Sequence, residues 1–364
     1  MLDKQIEELF HLQRDATLGV ADGEIAFLNA ACSAYYPALR PGMAAVEFLP
    51  PAVLEAGEAR FVASVTLGDL PTTVIGSQMG EMQVFTLIPA TLPGEGESQL
   101  LENTISSMRQ NLTVLNMATE LIAPAIHQLH EPKQQENLTA LNRTYYHLQR
   151  LCDHLDNLFR LKEGRSRLHL EDVDMVSFCG DLIQSVDHFV KKLGTKLRFK
   201  SERGQLIAAI DKQKMTKLIL GLLSNSLRRI SAGGSVHLTL SGQGDDVILA
   251  LRDTGPGIPP STMSHVFAAY QQPQSDTDPA AGVGLGMALA QEIARLHGGT
   301  LLLTSEEGVG TTVRLRLPSR PADADGLLLE TPLAYGEGDG GMHMILTELV
   351  DVLDDGAFAP RYLD

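Results

Sequence analysis

Residues 1–92 alternate short apolar runs with turn residues. Apolar runs lie at 61–67, 72–75 and 82–88, and Asp22-Gly23 marks a turn within an earlier run at 19–25. Runs of this length between turn residues are typical of antiparallel β-strands. The pattern therefore predicts a small α+β domain over residues 1–92, which ends at a linker rich in Pro, Gly and Glu.

The next segment, residues 93–164, has helical periodicity. From Leu101 to Leu129 the apolar positions follow at alternating steps of four and three, with Thr119 as the one polar member. This is a heptad seam. Glu131-Pro132 ends it, and a second apolar stripe runs from Leu138 to Phe159. Two helices whose stripes are too wide to bury alone predict a hairpin that forms a four-helix bundle with a second copy. We therefore expect a homodimer.

Strand and helix patterns alternate over residues 165–320, which predicts an α/β sandwich with helices on one face of a mixed sheet. The fold class is therefore α+β with several domains. The remaining residues, 321–364, are acidic and rich in glycine, with a short amphipathic stretch at 342–353. Such acidic tails are typically solvated appendages. The alternative is that the amphipathic stretch is a helix that docks on a partner.

Charge and composition exclude several classes of function. The chain of 364 residues has a net charge of −16 and a pI near 5.1, which argues against nucleic acid or an anionic membrane as the main partner. Its three cysteines are widely spaced, so they predict neither a disulfide framework nor a metal site. Neither a signal peptide nor an apolar run of 18 residues occurs, and we expect a cytoplasmic protein.

The stretch from Asp253 to Gly286 holds the candidate chemistry. Asp253 ends an apolar run and is followed by Gly255 and Gly257, so its carboxylate can accept a hydrogen bond from an amine beside a sharply turning backbone. The second glycine run, Gly282-Val-Gly-Leu-Gly286, leads into an amphipathic helix, and free amides at a helix start suit phosphates. On an earlier helix, Asn225 can offer an oxygen to magnesium and Arg228 can neutralise phosphate.

Taken together, these runs resemble the ATP-binding domain of histidine kinases, within the GHKL ATPase/kinase superfamily. The matching runs are Leu222-Leu-Ser-Asn-Ser-Leu-Arg228, Asp253-Thr-Gly-Pro-Gly257, Val266-Phe267 through Tyr270, Gly282-Val-Gly-Leu-Gly286, His297-Gly-Gly299 and Gly308-Val-Gly-Thr-Thr-Val313. The resemblance implies ATP and magnesium as cofactors, with Asp253 on the adenine amine, Asn225 on the metal and Arg228 on the phosphates. The other implied nucleotide-binding residues are Gly255, Gly257, Tyr270, Gly282, Gly284, Leu285, Gly286 and Thr311.

The two preceding segments are similar to parts of sensor kinases. The run from Asp22 to Ala31 resembles the opening of a PAS sensor domain, and the hairpin resembles the dimerisation and phosphoacceptor domain. In that domain a histidine on the first helix takes the phosphate. The best aligned run here is Ser106-Ser-Met-Arg-Gln-Asn-Leu-Thr113, in which Ser106 replaces the histidine and Ser107 the acid/base glutamate. A rival acceptor is His127, in His127-Gln-Leu-His-Glu-Pro132.

Three functions are consistent with these features. The first is a cytosolic sensor histidine-kinase-like protein of two-component signal transduction, which binds ATP with magnesium for protein phosphotransfer and has a response regulator as partner. The second is a degenerate kinase that acts as a nucleotide-gated dimeric binding module. The third is an anti-sigma-type protein serine kinase, against which the hairpin counts. Gly221 stands where many relatives have a second Asn or an acid, so simple ATP hydrolysis is disfavoured.

Overall fold

The structure, a computed structural model, describes residues 16–55, 61–67, 70–79, 82–89, 95–162, 164–263, 266–267, 285–319 and 341–359. The N-terminal part is a five-stranded antiparallel array in the order β2-β1-β5-β4-β3. Its strands are β1 (Ala16–Ala21), β2 (Glu24–Leu28), β3 (Phe61–Leu67), β4 (Leu70–Met79) and β5 (Met82–Pro89), with short helices α1 (Ala30–Tyr35) and α2 (Pro51–Leu54). Asp22 and Gly23 form the predicted turn, and both have positive φ. The predicted turns at 68–69 and 79–80 lie at least partly outside the described residues.

Two long helices follow, α3 (Glu95–Leu129) and α4 (Pro132–Lys162), which pack side by side. The break falls at residues 130–131, where the heptad pattern ends, and Pro132 begins the second helix because its missing amide is tolerated there. Helix α3 continues through Pro124. An ion-pair network joins the two helices, since Nη2 of Arg109 lies 3.2 Å from Asp153 and 2.9 Å from Asp156.

The C-terminal half is an α/β sandwich, as predicted. Helices α5 (Met175–Val190), α6 (Lys212–Arg229) and α8 (Gly286–Leu296) pack with the sheet in one large core. The sheet strands are β7 (Lys196–Ser201), β9 (Ser235–Gln243), β10 (Asp246–Asp253), β11 (Thr300–Glu306) and β12 (Gly310–Pro318). Only β7 and β9 pair in parallel among these described strands. Strands β6 (Glu171–Asp174) and β8 (Ile207–Ile210) form a separate pair, and α7 (Pro260–Met263) is a single turn.

The N-terminal array and the sandwich share one sheet, although the sequence indicated two separate domains. Strand β3 pairs with β11, so ten strands run in the order β2-β1-β5-β4-β3-β11-β12-β10-β9-β7. Strand β11 serves both cores because its side chains alternate: Leu301 and Leu303 lie in the sandwich core, and Leu302 lies in the N-terminal core. The boundary between residues 1–92 and 165–320 is therefore crossed by a hydrogen-bonded ladder.

The C-terminal segment corrects the expectation of a solvated tail. Helix α9 (Gly341–Glu348) packs on both α4 and α6. Its apolar residues join the sandwich core, and Phe358 of the following 3-10 turn (Asp355–Phe358) is fully buried against Tyr146. The amphipathic stretch therefore packs on α4 and α6 of its own chain. Residues 320–340 and 360–364 lie outside the described part.

Among the described residues, no helix combines the length and the hydropathy that crossing a bilayer requires.

Candidate nucleotide site

Asp253, the last residue of strand β10, has its carboxylate held by three donors. Oδ1 accepts from the amides of Gly255 (2.9 Å) and Thr311 (3.2 Å), and Oδ2 accepts from the hydroxyl of Ser226 (3.0 Å). The residue is only 6% exposed. Two predicted nucleotide-binding residues, Gly255 and Thr311, thus fix the orientation of a third. Each carboxylate oxygen has more than one acceptor position, so the group can still take a hydrogen bond from a ligand amine.

The glycines around Asp253 allow two pieces of backbone to touch. At Gly257, where φ is +72°, a Cβ atom would lie 2.1 Å from the carbonyl oxygen of Glu306. At Gly310, where φ is +139°, a Cβ atom would lie 2.1 Å from the carbonyl oxygen of Asp253. Both positions therefore require glycine so that the end of β10 can rest on the β11–β12 hairpin.

Helix α6 brings Asn225 and Arg228 to the same end of the sheet. Its start is fixed by Asp211, whose side chain caps the amide of Lys214. His297, from the His-Gly-Gly run after α8, accepts from the amide of Asp211 at Nε2 (3.0 Å), while Nδ1 lies 2.8 Å from the carbonyl oxygen of Ile293. Burial lowers the pKa of His297 and favours this neutral ring. Asn225 and Arg228 are both partly exposed, one turn apart.

The second glycine run ends at the start of helix α8. The helix begins at Gly286, and no side chain caps its N-terminus at Leu285. A Cβ atom at Gly286 would lie 3.8 Å from Nδ2 of Asn225, so the helix start and the candidate magnesium ligand are neighbours. Leu285 was predicted to bind nucleotide, but its side chain is buried against Leu158 of the hairpin. Any contact that Leu285 makes with a ligand therefore comes from its backbone.

Three predicted residues, Tyr270, Gly282 and Gly284, lie outside the described residues. Phe267, from the run that ends at Tyr270, is buried in the sandwich core.

The described residues fit ATP with magnesium. Magnesium keeps several waters and takes one or two protein oxygens together with substrate phosphates, so the single amide oxygen of Asn225 suffices. Uncapped amides at the start of α8 and the guanidinium of Arg228 suit phosphate. The held carboxylate of Asp253 suits an amine of the base.

The two candidate acceptors, Ser106 and His127, are both exposed on helix α3. Arg109, one turn after Ser106, binds Asp153 and Asp156 of α4, and the next turn of α4 carries Leu158, which touches Leu285. Ser106 therefore lies at the level of the hairpin where α4 packs on α8. His127 stands 21 residues further along the helix, about 32 Å at 1.5 Å per residue, beside Pro132 and Asp355 at the far end.

One segment of the C-terminal half matches a known protein family. A family model described as "Histidine kinase-, DNA gyrase B-, and HSP90-like ATPase" matches residues 210–321. Residues 210–321 are an ATPase domain of this family. The match spans helix α6, strands β9–β12 and helix α8, and so includes Asn225, Asp253 and Gly286.

The relatives of this chain include a sensor protein and several histidine kinases. It is 29% identical over 226 residues to the alginate biosynthesis sensor protein KinB of Pseudomonas aeruginosa, a match that covers 61% of this chain and 37% of KinB. It is 35% identical over 125 residues to the histidine protein kinase DivJ of Caulobacter vibrioides, which covers 34% of this chain and 21% of DivJ. The chain thus spans well under half the length of these relatives.

A solved structure supports the fold. Full-length ShkA, crystallised in complex with AMPPNP, has a TM-score of 0.52 and 23% identity to this chain. The alignment covers 62% of this chain and 47% of ShkA.

Sequence reasoning missed one residue and one group of charged residues near the site. Ser226 binds Asp253, but one serine on a helix carries no signal of that contact. A group of charged residues also lies where α4 packs against α6 and α9. It consists of Arg150, His154, Glu348 and Asp351. Its members are far apart in the chain, and two of them belong to the segment interpreted as a tail.

Proposed function

We propose that this chain is a sensor histidine-kinase-like protein of two-component signalling that binds ATP with magnesium and labels itself weakly or not at all. The observation that carries the nucleotide part is the buried carboxylate of Asp253, held by Ser226, Gly255 and Thr311. Asn225 directly precedes Ser226 in helix α6, and its Nδ2 would lie 3.8 Å from a Cβ atom at Gly286, at the uncapped start of α8. The ATPase domain at residues 210–321 supports the same assignment.

Each residue has a role set by its chemistry. Asp253 accepts a hydrogen bond from the adenine amine, Asn225 gives an oxygen to magnesium, and Arg228 with the α8 amides balances phosphate charge. ATP with magnesium supplies the phosphoryl group, whose transfer depends on positioning and charge stabilisation. The chain shows no base at Gly221, where many relatives have a second Asn or an acid, so release of phosphate to water is not favoured.

A second copy of the chain is the expected partner of the hairpin. Helix α3 exposes large apolar side chains along much of its length, including Val114, Met117, Leu121, Ile122 and Leu129. Leu121 alone is 81% exposed. An apolar patch of this kind marks an interaction site, and the heptad spacing of the seam fits a four-helix bundle. The same two helices disfavour an anti-sigma-type serine kinase.

The surroundings of Ser106 support weak self-phosphorylation. Phosphate transfer to a side chain is assisted by a neighbouring base, and Glu102 is the only carboxylate within one turn of Ser106 in the sequence. Glu102 accepts from Arg165 at 3.0 Å, so this carboxylate is already engaged. His127 has the better side chain, but it lies at the far end of the hairpin from α8.

The engagement of Glu102 by Arg165, which disfavours phosphorylation of Ser106, also favours a second candidate function, a nucleotide-gated binding module. In that case ATP sets the geometry of the hairpin, and a partner such as a response regulator reads it without receiving phosphate from this chain. The two candidates share the nucleotide site and differ only in the fate of the γ-phosphate.

Incorporation of labelled γ-phosphate tests the proposal. The purified full chain is incubated with labelled ATP and magnesium, treated with acid, and mapped. We expect label at or near background, with ATP still bound. Strong acid-labile label at His127 would contradict the placement of the acceptor at Ser106, and strong label elsewhere would contradict the proposed lack of activity.

A further inference from the structure

The charged group where α4, α6 and α9 meet is almost completely removed from solvent. The side chains of Arg150, Asp351 and Glu348 are 10%, 7% and 1% exposed. Arg150 donates through Nη1 to Asp351, and its Nε lies 3.6 Å from Oε2 of Glu348. His154, one turn later on α4, lies 2.8 Å from the same Glu348 oxygen.

Burial alone would raise the pKa of Glu348. The charge and hydrogen bond of His154, followed by Arg150 and Lys217, instead hold that pKa at about 2. The carboxylate is therefore ionised at neutral pH and anchors the cations around it. Because the group is fixed on one side by the C-terminal segment, Arg150 has little freedom to move.

The other Nη atom of Arg150 points to helix α6. Nη2 donates to Oγ of Ser224 at 3.3 Å, and Ser224 directly precedes Asn225. Buried charges are expensive to desolvate, and apolar residues of similar volume often stabilise a fold equally well. A buried arginine that reaches from the hairpin to the residue beside a candidate metal ligand therefore suggests a role beyond stability.

We propose that Arg150 is a positioning residue for magnesium-nucleotide binding. It acts through Ser224 to set the rotation of α6 at Asn225, and Glu348 and Asp351 hold it in place. The C-terminal segment thereby acts on the nucleotide site indirectly, through Arg150 and Ser224. This inference rests on the proposed nucleotide function.

The chain offers a matched control one heptad earlier on the same helix. Arg143 also binds the C-terminal segment, through Asp355 at 2.6 Å, but that pair is exposed and does not reach α6. Exposed ion pairs contribute little. Arg143→Met thus removes an arginine that contacts the same segment and leaves the surroundings of Asn225 unchanged.

The test is calorimetric titration of the full chain with AMPPNP, in magnesium and again in EDTA. Arg150→Met and Ser224→Ala should each weaken AMPPNP binding in magnesium by about tenfold, which is within the usual range of coupling between sites. In EDTA the affinity should stay within about twofold, since contacts with the base remain. The double variant, Arg150→Met with Ser224→Ala, should lose little more affinity than either single variant, because both substitutions remove the same interaction.

If Arg150 has a purely structural role, its substitution should lower the AMPPNP affinity in magnesium and in EDTA together, or neither of them. Arg143→Met should match the wild type in both buffers. If Arg150→Met does not fold, Ser224→Ala decides the matter alone. The inference is overturned if wild-type protein binds AMPPNP with magnesium and the folded variants bind it equally well. Failure of the wild type to bind would overturn the proposed function, and this inference with it.

Discussion

Leu302 of strand β11 is the register partner of Ala63 in strand β3, so one antiparallel ladder links the ATPase domain to the N-terminal array. Leu302 is buried among the N-terminal core residues, whereas its neighbour Leu301 is buried in the sandwich core. Strand β11 therefore contributes side chains to two separate cores, and Leu302 belongs to the N-terminal one although its strand lies in the ATPase domain.

Leu302→Ala should loosen the N-terminal array and leave the nucleotide site intact. Loss of a buried leucine side chain costs about 2–5 kcal/mol, and here that cost falls on the N-terminal core. Hydrogen exchange should accelerate at β3, β4 and β5, while AMPPNP affinity changes by less than about twofold. Leu301→Ala is the control, and it should accelerate exchange in the sandwich strands. Unchanged exchange at residues 61–89 in Leu302→Ala would contradict the place of Leu302 in the N-terminal core.

Acid should release the C-terminal segment through Glu348. Its pKa is about 2 in the fold against an ordinary 4.5, so its contribution is complete above pH 4.5 and is lost as the pH falls from there to 2. That contribution is at most roughly 3 kcal/mol. In denaturant melts, Glu348→Gln should be less stable than the wild type at pH 7, and the gap should narrow below pH 4.5.

Asp355→Asn serves as the control for Glu348→Gln, because it lies in the same segment but pairs in solvent with Arg143. Its stability should follow the wild type within about 0.5 kcal/mol across the same pH range. A gap between Glu348→Gln and the wild type that does not change with pH would mean that the ionised carboxylate is not what holds the segment.

Much of this architecture could be predicted from the sequence because its signals are local. Asp253 ends a buried strand and precedes glycines, and Glu131-Pro132 interrupts a heptad stripe; both features lie within a few residues. The β3–β11 ladder and the pairing of His154 with Glu348 join segments that are distant in the chain. The local sequence of one segment does not indicate which other segment it pairs with. Helix α9 was interpreted as part of a tail because acidity and glycine content around it outweighed a short amphipathic pattern.

Charge on the exposed face of α3 should prevent dimer formation. Leu121→Asp would place a carboxylate inside the proposed bundle, where an unpaired buried charge costs about 3–5 kcal/mol. Light scattering at micromolar concentration should give a dimer for the wild type and a monomer for this variant. Thr113→Asp, on the polar stripe that includes Ser106, should remain dimeric. A monomeric wild type would contradict the bundle.

Restoring a histidine acceptor at position 106 should restore self-phosphorylation. Ser106→His combined with Ser107→Glu supplies an imidazole and the acid that holds it, at the level of the hairpin where α4 packs on α8. The double variant should incorporate acid-labile γ-phosphate well above the wild type. Adding Asp253→Asn to it should reduce the label by lowering ATP affinity. Absence of label in a folded double variant that binds ATP would show that position 106 is not presented to the nucleotide.

Asp253 is the residue proposed to hold the base of ATP, and calorimetry of ATP with magnesium on the full chain measures the strength of that contact. Asp253→Asn puts an amide among the three donors and leaves a mismatched buried group, at a cost of about 1–3 kcal/mol, or about 5- to 150-fold in Kd. Asp246→Asn, at the other end of β10 and paired with Arg316, is the control and should bind like the wild type. We expect saturable binding by the wild type and by Asp246→Asn, with affinity reduced in Asp253→Asn. A wild type that shows no binding, or a folded Asp253→Asn that binds as tightly as the wild type, would contradict this expectation.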